Sequence, residues 1–155
     1  MKWTIVGLVL AGCVVLLALA GCGAACKCCR TTAAAPKDAP EQVEIEGRQY
    51  TLAASLWRDF QPVAPPDGQP LVAVLKVSPS DMMPQPADLA IDHVWVLNGA
   101  KQWSVAAGKP SGLEQSVRGG PKWGPGIKVD VVVRLKQAKQ TWLVRQAGVT
   151  IKRTD

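Results

Sequence analysis

Past Cys22 the chain never repeats its apolar residues at helical spacing, and that absence constrains its fold more than any other feature. Short alternating runs broken by glycine and proline recur instead. Residues 43–46 alternate and stop at Gly47, and residues 50–57 form a second run. Residues 61–69 hold Pro65-Pro66-Asp67-Gly68, residue types that preset the backbone of tight turns. Residues 71–75 are continuously apolar, the pattern of a central strand buried on both sides. A proline-bearing loop over 78–87 follows. Residues 91–97 and 101–106 then flank Asn98-Gly99, a pair that readily takes the positive φ a two-residue hairpin turn demands. Residues 108–126 are rich in glycine and proline, with a short strand expected at 114–118. Residues 127–135 alternate as a core strand, a turn over 136–139 leads to a strand at 141–145, and residues 149–152 make the last one.

About seven to nine short strands at this spacing predict an all-β domain over residues 43–155. The expected form is a small antiparallel immunoglobulin-like β-sandwich, with a small barrel as the alternative. The domain has no cysteine, so no disulfide joins its sheets. At roughly 100–120 residues a domain can bury a core without such staples.

The N-terminus is of another kind. Met1-Lys2 is positive, and residues 3–20 follow without a charge. Each large apolar residue there gains about 0.3–0.6 kcal/mol on entering a bilayer. The length of the run falls between an export-signal core and a minimal membrane span, so hydropathy alone leaves removal undecided. The residues that end it, Leu19-Ala20-Gly21-Cys22, resemble the lipobox of bacterial lipoproteins. Leu10-Ala11-Gly12-Cys13 also fits the four-letter pattern but lies too close to Lys2 to leave a workable apolar segment. The resemblance implies that residues 1–21 are a cleaved signal peptide and that the Cys22 thiol carries a diacylglyceryl group. The new amino terminus would also be acylated. Each buried methylene contributes about 0.8 kcal/mol, so several chains make an effectively permanent membrane anchor. Gly23 follows the cysteine where an Asp would hold a lipoprotein back. By family analogy that implies an outer-membrane site facing the periplasm in a two-membrane source, and the cell surface otherwise. The alternative is an uncleaved N-terminal anchor.

Residues 22–42 read as a tether, stiffened toward its end by Pro36 and Pro40. It opens with Cys26-Lys27-Cys28-Cys29-Arg30. Thiolates select soft metals, and adjacent cations lower thiol pKa values. A closed zinc site, however, wants four ligands at C-x₂₋₄-C spacing, and Cys26, Cys28 and Cys29 have no second half.

The formal charge of +6 is unevenly spread. Acids outnumber bases between Thr31 and Ala100, and from Lys101 onward the basic residues face only Glu114, Asp130 and Asp155. Either acidic and basic strands pair across the domain, or a basic face meets anionic headgroups or acidic polymers. No recognition motif accompanies the charge, so nucleic acid is not an expected partner.

His93 is the only histidine, beside Asp92, and no serine sits in an activating turn near it in sequence. Met82-Met83 reads as a loop pair capping the core. Trp57 and Trp95 fall in apolar runs and are expected in the core. Trp123, within Gly119-Gly-Pro-Lys-Trp-Gly-Pro-Gly126, either plugs one end of the domain or presents its indole to a partner.

The function class that follows is a lipid-anchored, non-enzymatic envelope protein without a cofactor. It binds a protein or glycan partner, or assists envelope assembly, through Trp123, Lys122, Lys128, Arg134 and Lys136. A metal- or thiol-handling lipoprotein using Cys26, Cys28 and Cys29 is the alternative, and a hydrolase on His93 comes third.

Overall fold

The computed structural model describes residues 35–81, 83–108 and 112–155. Cys22, the three tether cysteines and Met82 lie outside the described residues. Eight strands follow in order: β1 (Gln42–Ile45), β2 (Arg48–Asp59), β3 (Leu71–Pro79), β4 (Ala90–Asn98), β5 (Lys101–Ala106), β6 (Glu114–Gly120), β7 (Lys128–Gln137) and β8 (Gln140–Thr154). They form one hydrogen-bonded path, β5-β4-β7-β8-β2-β3-β6, with β1 paired to β2 beside it. The described residues contain no helix.

The sheet curls until its two ends meet. Trp103 of β5 lies against Gly120 of β6 so closely that a Cβ on Gly120 would stand 2.8 Å from the indole. No ladder joins β5 to β6, so the result is a nearly closed barrel with its apolar side chains inside. The strand that makes the curl possible is β8. Its first part pairs with β7, and its end pairs with β2. Within the β7 ladder, shortly before the β2 pairing begins, lies a bulge in which Asp130 of β7 faces Ala147 and Gly148 of β8, with Gly148 at φ 66°. The Asp130 carboxylate pins that bulge, accepting from Gly148 N–H at 2.9 Å and from Arg145 Nη2 at 2.9 Å. What reads in sequence as two strands is therefore one bent strand.

The sheet also departs from the antiparallel expectation. β2 and β8 run parallel, with Leu56 opposite Ile151 and Asp59 opposite Thr154. β1 occupies the other part of the same β2 edge, and the Gln146 side chain fills the gap by accepting from Ala54 N–H at 2.5 Å.

The hairpin at Asn98-Gly99 forms one residue later than expected. Asn98 pairs with Lys101, so the loop is Gly99-Ala100, and Gly99 alone takes a positive φ of 59°. Glycine at the first loop position gives the type II′ turn rather than the type I′ turn suited to Asn-Gly.

Burial corrects two further expectations. In β3 only Leu71, Ala73, Leu75 and Val77 face inward, while Val74 is 40% exposed, because nothing among the described residues covers the outer side of this strand. The strands buried on both faces are β7, where Val131, Val132 and Val133 are all fully buried, and β4, where Val94 to Leu97 are buried. Val132 points outward into a second cluster with Trp95, Leu97 and Ala39. Residues 35–40 make the cover. Ala39 is buried, Arg145 N–H donates to Pro40 O at 2.8 Å, Arg145 Nη1 to Lys37 O at 3.1 Å, and Ala35 N–H to Gln102 Oε1 at 3.3 Å. The stretch whose composition reads as spacer is, from Ala35 on, a strap laid over the outer face of β4, β7 and β8.

Candidate functional site on the outer face of β2, β3 and β6

Strand alternation decides which way each side chain of β2 points. Tyr50, Leu52, Leu56 and Arg58 face inward and are buried, so Thr51, Ser55, Trp57 and Asp59 face out. Trp57 is thus half-buried on the outer face and not part of the core, contrary to its expected place. Across the sheet its row runs from Lys152 of β8 through Trp57 and Val72 to Arg118 of β6. Leu71 pairs with Gly120 and Ala73 with Val117, so Val72 stands opposite both Arg118 and Gly119. This second bulge, with Gly119 at φ 84°, bends β6 away and opens a cleft. The cleft measures about 410 Å³, with Trp57, Val72 and Pro70 beside Asp59, Gln69 and Arg118.

Its rim is held by a buried cation. Arg58 is 3% exposed, and among the described residues its fork hydrogen-bonds to backbone carbonyls rather than to a carboxylate. It donates to Gln69 O at 2.9 Å, Lys122 O at 3.2 Å, Trp123 O at 3.4 Å and Asp67 O. A guanidinium suits this task because its donors diverge in a fixed plane. Phe60 lies between Arg58 and Arg153, at 5.0 and 4.4 Å from ring centre to guanidinium. Gly68 passes under that ring where a Cβ would come within 2.6 Å, at a φ of 75°. Gln69 N–H donates to Asp59 O at 2.8 Å, and Asp59 Oδ1 accepts from Gln61 N–H at 2.9 Å. The Asp59 carboxylate is thus held by a backbone donor, and the backbone of Gln69 is tied to β2.

The residues expected to bind a partner are scattered. Lys122 bridges Asp67 at 2.6 Å, and that hydrogen bond holds the Asp67 carboxyl below its ordinary range. Trp123 is partly buried against the core, which favours the plug over the platform. Arg134 forks onto both oxygens of Asp92, at 2.7 and 2.9 Å, on the strapped side of the barrel. Lys128 and Lys136 are exposed at opposite ends of β7. Of the charge pairs that join the two halves of the sequence, Asp92–Arg134 and Asp67–Lys122 run as the pairing reading expects.

His93 meets Ser104, with Nε2 3.1 Å from Oγ, and its ring lies 4.2 Å from that of Trp95. Burial first, then Arg134, pushes the imidazole pKa down, and Asp92 opposes them. Sequence reasoning did not find this Ser–His contact, which pairs residues on neighbouring strands. Asp92 gives both oxygens to Arg134, and no carboxylate is hydrogen-bonded to His93 among the described residues. The imidazole thus lacks the third group that would orient it as a base. Met83 is 64% exposed and does not cap the core.

Arg118 and Lys152 are exposed, and neither has a hydrogen-bond or ion-pair partner among the described residues. The cleft therefore combines an indole, an arginine without an ion-pair partner among the described residues, and polar groups at its mouth. That arrangement can bind but offers no paired acid and base for chemistry. Compared with known proteins, the chain matches no family model, no curated protein and no solved structure.

Proposed function

We propose that this is a lipid-anchored, exported, non-enzymatic protein that binds a protein or glycan of the cell envelope through the cleft at Trp57. One observation carries the binding reading: a tryptophan stays half-exposed beside unpaired Arg118 and Lys152, on a face that nothing in the chain's described residues covers. A contact surface of this make-up, aromatic with arginine and rigidly mounted, is what partner recognition selects. The anchor rests on Leu19-Ala20-Gly21-Cys22 and its uncharged leader. The outer membrane facing the periplasm is the site proposed for a two-membrane source, and the cell surface otherwise. The immunoglobulin-like sandwich is the finer fold reading, supported by the way β8 bends from one half of the strand set to the other.

Two measurements test this. Intact mass of protein extracted from host membranes should equal a chain starting at Cys22 plus acyl groups, and Cys22→Ser should abolish that species. A full-length, unmodified mass would overturn the anchor. Wild-type protein should co-sediment with envelope fragments in a salt-sensitive way, and Trp57→Ala should not, although it remains folded with a melting temperature lowered by no more than about 5 °C. Equal sedimentation of both would move the binding site elsewhere.

A further inference from the structure

Resting on the cleft reading above, we infer that its occupant is a saccharide carrying a carboxylate. Three features of the cleft point to that chemistry together. First, the apolar part of the lining is one indole, Trp57, beside the small apolar side chains of Val72 and Pro70. A pyranose ring presents a flat patch of C–H groups that lies on such a plate, while its hydroxyls project at the edge.

Second, the edge groups match hydroxyls. Asp59 has one carboxylate oxygen engaged by Gln61 N–H, and Gln69 brings an amide that both donates and accepts. Each ring hydroxyl is donor and acceptor at once, so this mixed pair satisfies neighbouring hydroxyls. The Arg58 Nε–H bond to Gln69 O and the Gln69 N–H bond to Asp59 O hold the mouth in place before a ligand arrives. Pre-organisation of this kind lowers the ordering cost of binding.

Third, the charge is unbalanced in one direction. Arg118 lines the cleft without a partner among the described residues, and Lys152 flanks Trp57 on the other side. Asp59 also lines the cleft and offsets Arg118 in formal charge, so the net positive charge of this face comes from Lys152 at the flank. Arg118 offers a planar fork that matches a carboxylate through two parallel hydrogen bonds. Gly119 beside it has open space where a side chain would project, so a ligand can come close to the strand there.

The test is calorimetric titration of the full chain in detergent with three sets of probes. These are oligosaccharides of uronic, muramic and sialic acids; neutral oligosaccharides of the same lengths; and a short Glu-rich peptide. An acidic oligosaccharide should bind, with Trp57→Ala and Arg118→Ala each weakening it about tenfold or more. Trp57→Tyr, which keeps a plate, should retain most of the affinity. Neutral sugars binding as tightly, or an Arg118→Ala variant binding as wild type, would overturn the carboxylate. Trp57-dependent binding of the peptide alone would overturn the saccharide and leave the cleft reading standing. Binding of no probe overturns the saccharide too, and a Trp57→Ala variant that still sediments with envelope fragments overturns the cleft itself.

Discussion

The outer face of β4, β7 and β8 and the outer face of β2, β3 and β6 are built from the same kinds of residue and finish differently. On the first, Trp95 is 2% exposed under residues 35–40, and both arginines have carboxylates: Arg134 with Asp92 and Arg145 with Asp130. On the second, Trp57 is half-exposed, Val74 is 40% exposed, and Arg118 stands without a partner among the described residues. A strand outside the core needs a cover only where it carries enough apolar surface to need one. The strap supplies that cover at one face, which makes the bare state of the other informative.

The contrast is sharpest between the tryptophans. Trp95→Ala should lose about 3–5 kcal/mol, as a buried aromatic does, while Trp57→Ala should cost about 1 kcal/mol or less. Urea denaturation of the two variants side by side measures this, and equal losses would erase the distinction between the faces. Removing the strap comes next. A chain beginning at Glu41 uncovers Trp95, Leu97 and Val132 and should lose about 2 kcal/mol, with stronger binding of a hydrophobic dye. No loss would mean that residues 35–40 merely rest on the surface.

The arginines give a smaller difference. Arg134 and Asp92 side chains are 37% and 26% exposed, so solvent screens their pair. Arg134→Ala should cost about 1 kcal/mol, against about 0.5 kcal/mol or less for Arg118→Ala. Thermal melts at low and high salt should show the Arg134 effect shrinking as salt rises.

The weakest effect is one of pH. His93 has its pKa depressed in the fold, so the unfolded chain binds the proton more readily. Its contribution is fully present above the ordinary histidine pKa and is lost as pH falls below it. Stability should therefore decline as pH falls below about 6.5, the ordinary histidine value, and His93→Gln should flatten that slope. A slope unchanged in the variant would assign it to other groups.

Much of this architecture was legible in the residues themselves. Alternation located β7, and a turn signal marked the β4–β5 hairpin to within one residue. The parity that exposes Trp57 was also present, since it shares its phase with Thr51, Ser55 and Asp59. An apolar neighbourhood outweighed it in the reading. Arg58 shows the converse: its phase is that of Leu52 and Leu56, but the carbonyls that make its burial tolerable come from two separate loops. The strap was illegible for a similar reason. Alanine and proline carry no periodicity, and what makes Ala39 a core residue is Trp95, far along the chain. Bulges hid the rest, because Ala147-Gly148 reads as a stop where the strand only bends.

The parallel pairing of β2 with β8 has a kinetic meaning. Leu56 finds Ile151 only after almost every other strand has been synthesised, and local hairpins cannot stand in for that contact. Such remote pairing makes folding slow, because the chain loses loop entropy before the contact repays it. For the exported protein proposed here, delay is useful: a chain that has not yet closed its barrel can still be threaded across a membrane. Under that proposal β8, the strand that joins the two halves of the sheet, would act as a timer, keeping the preceding strands open until β8 itself has passed through.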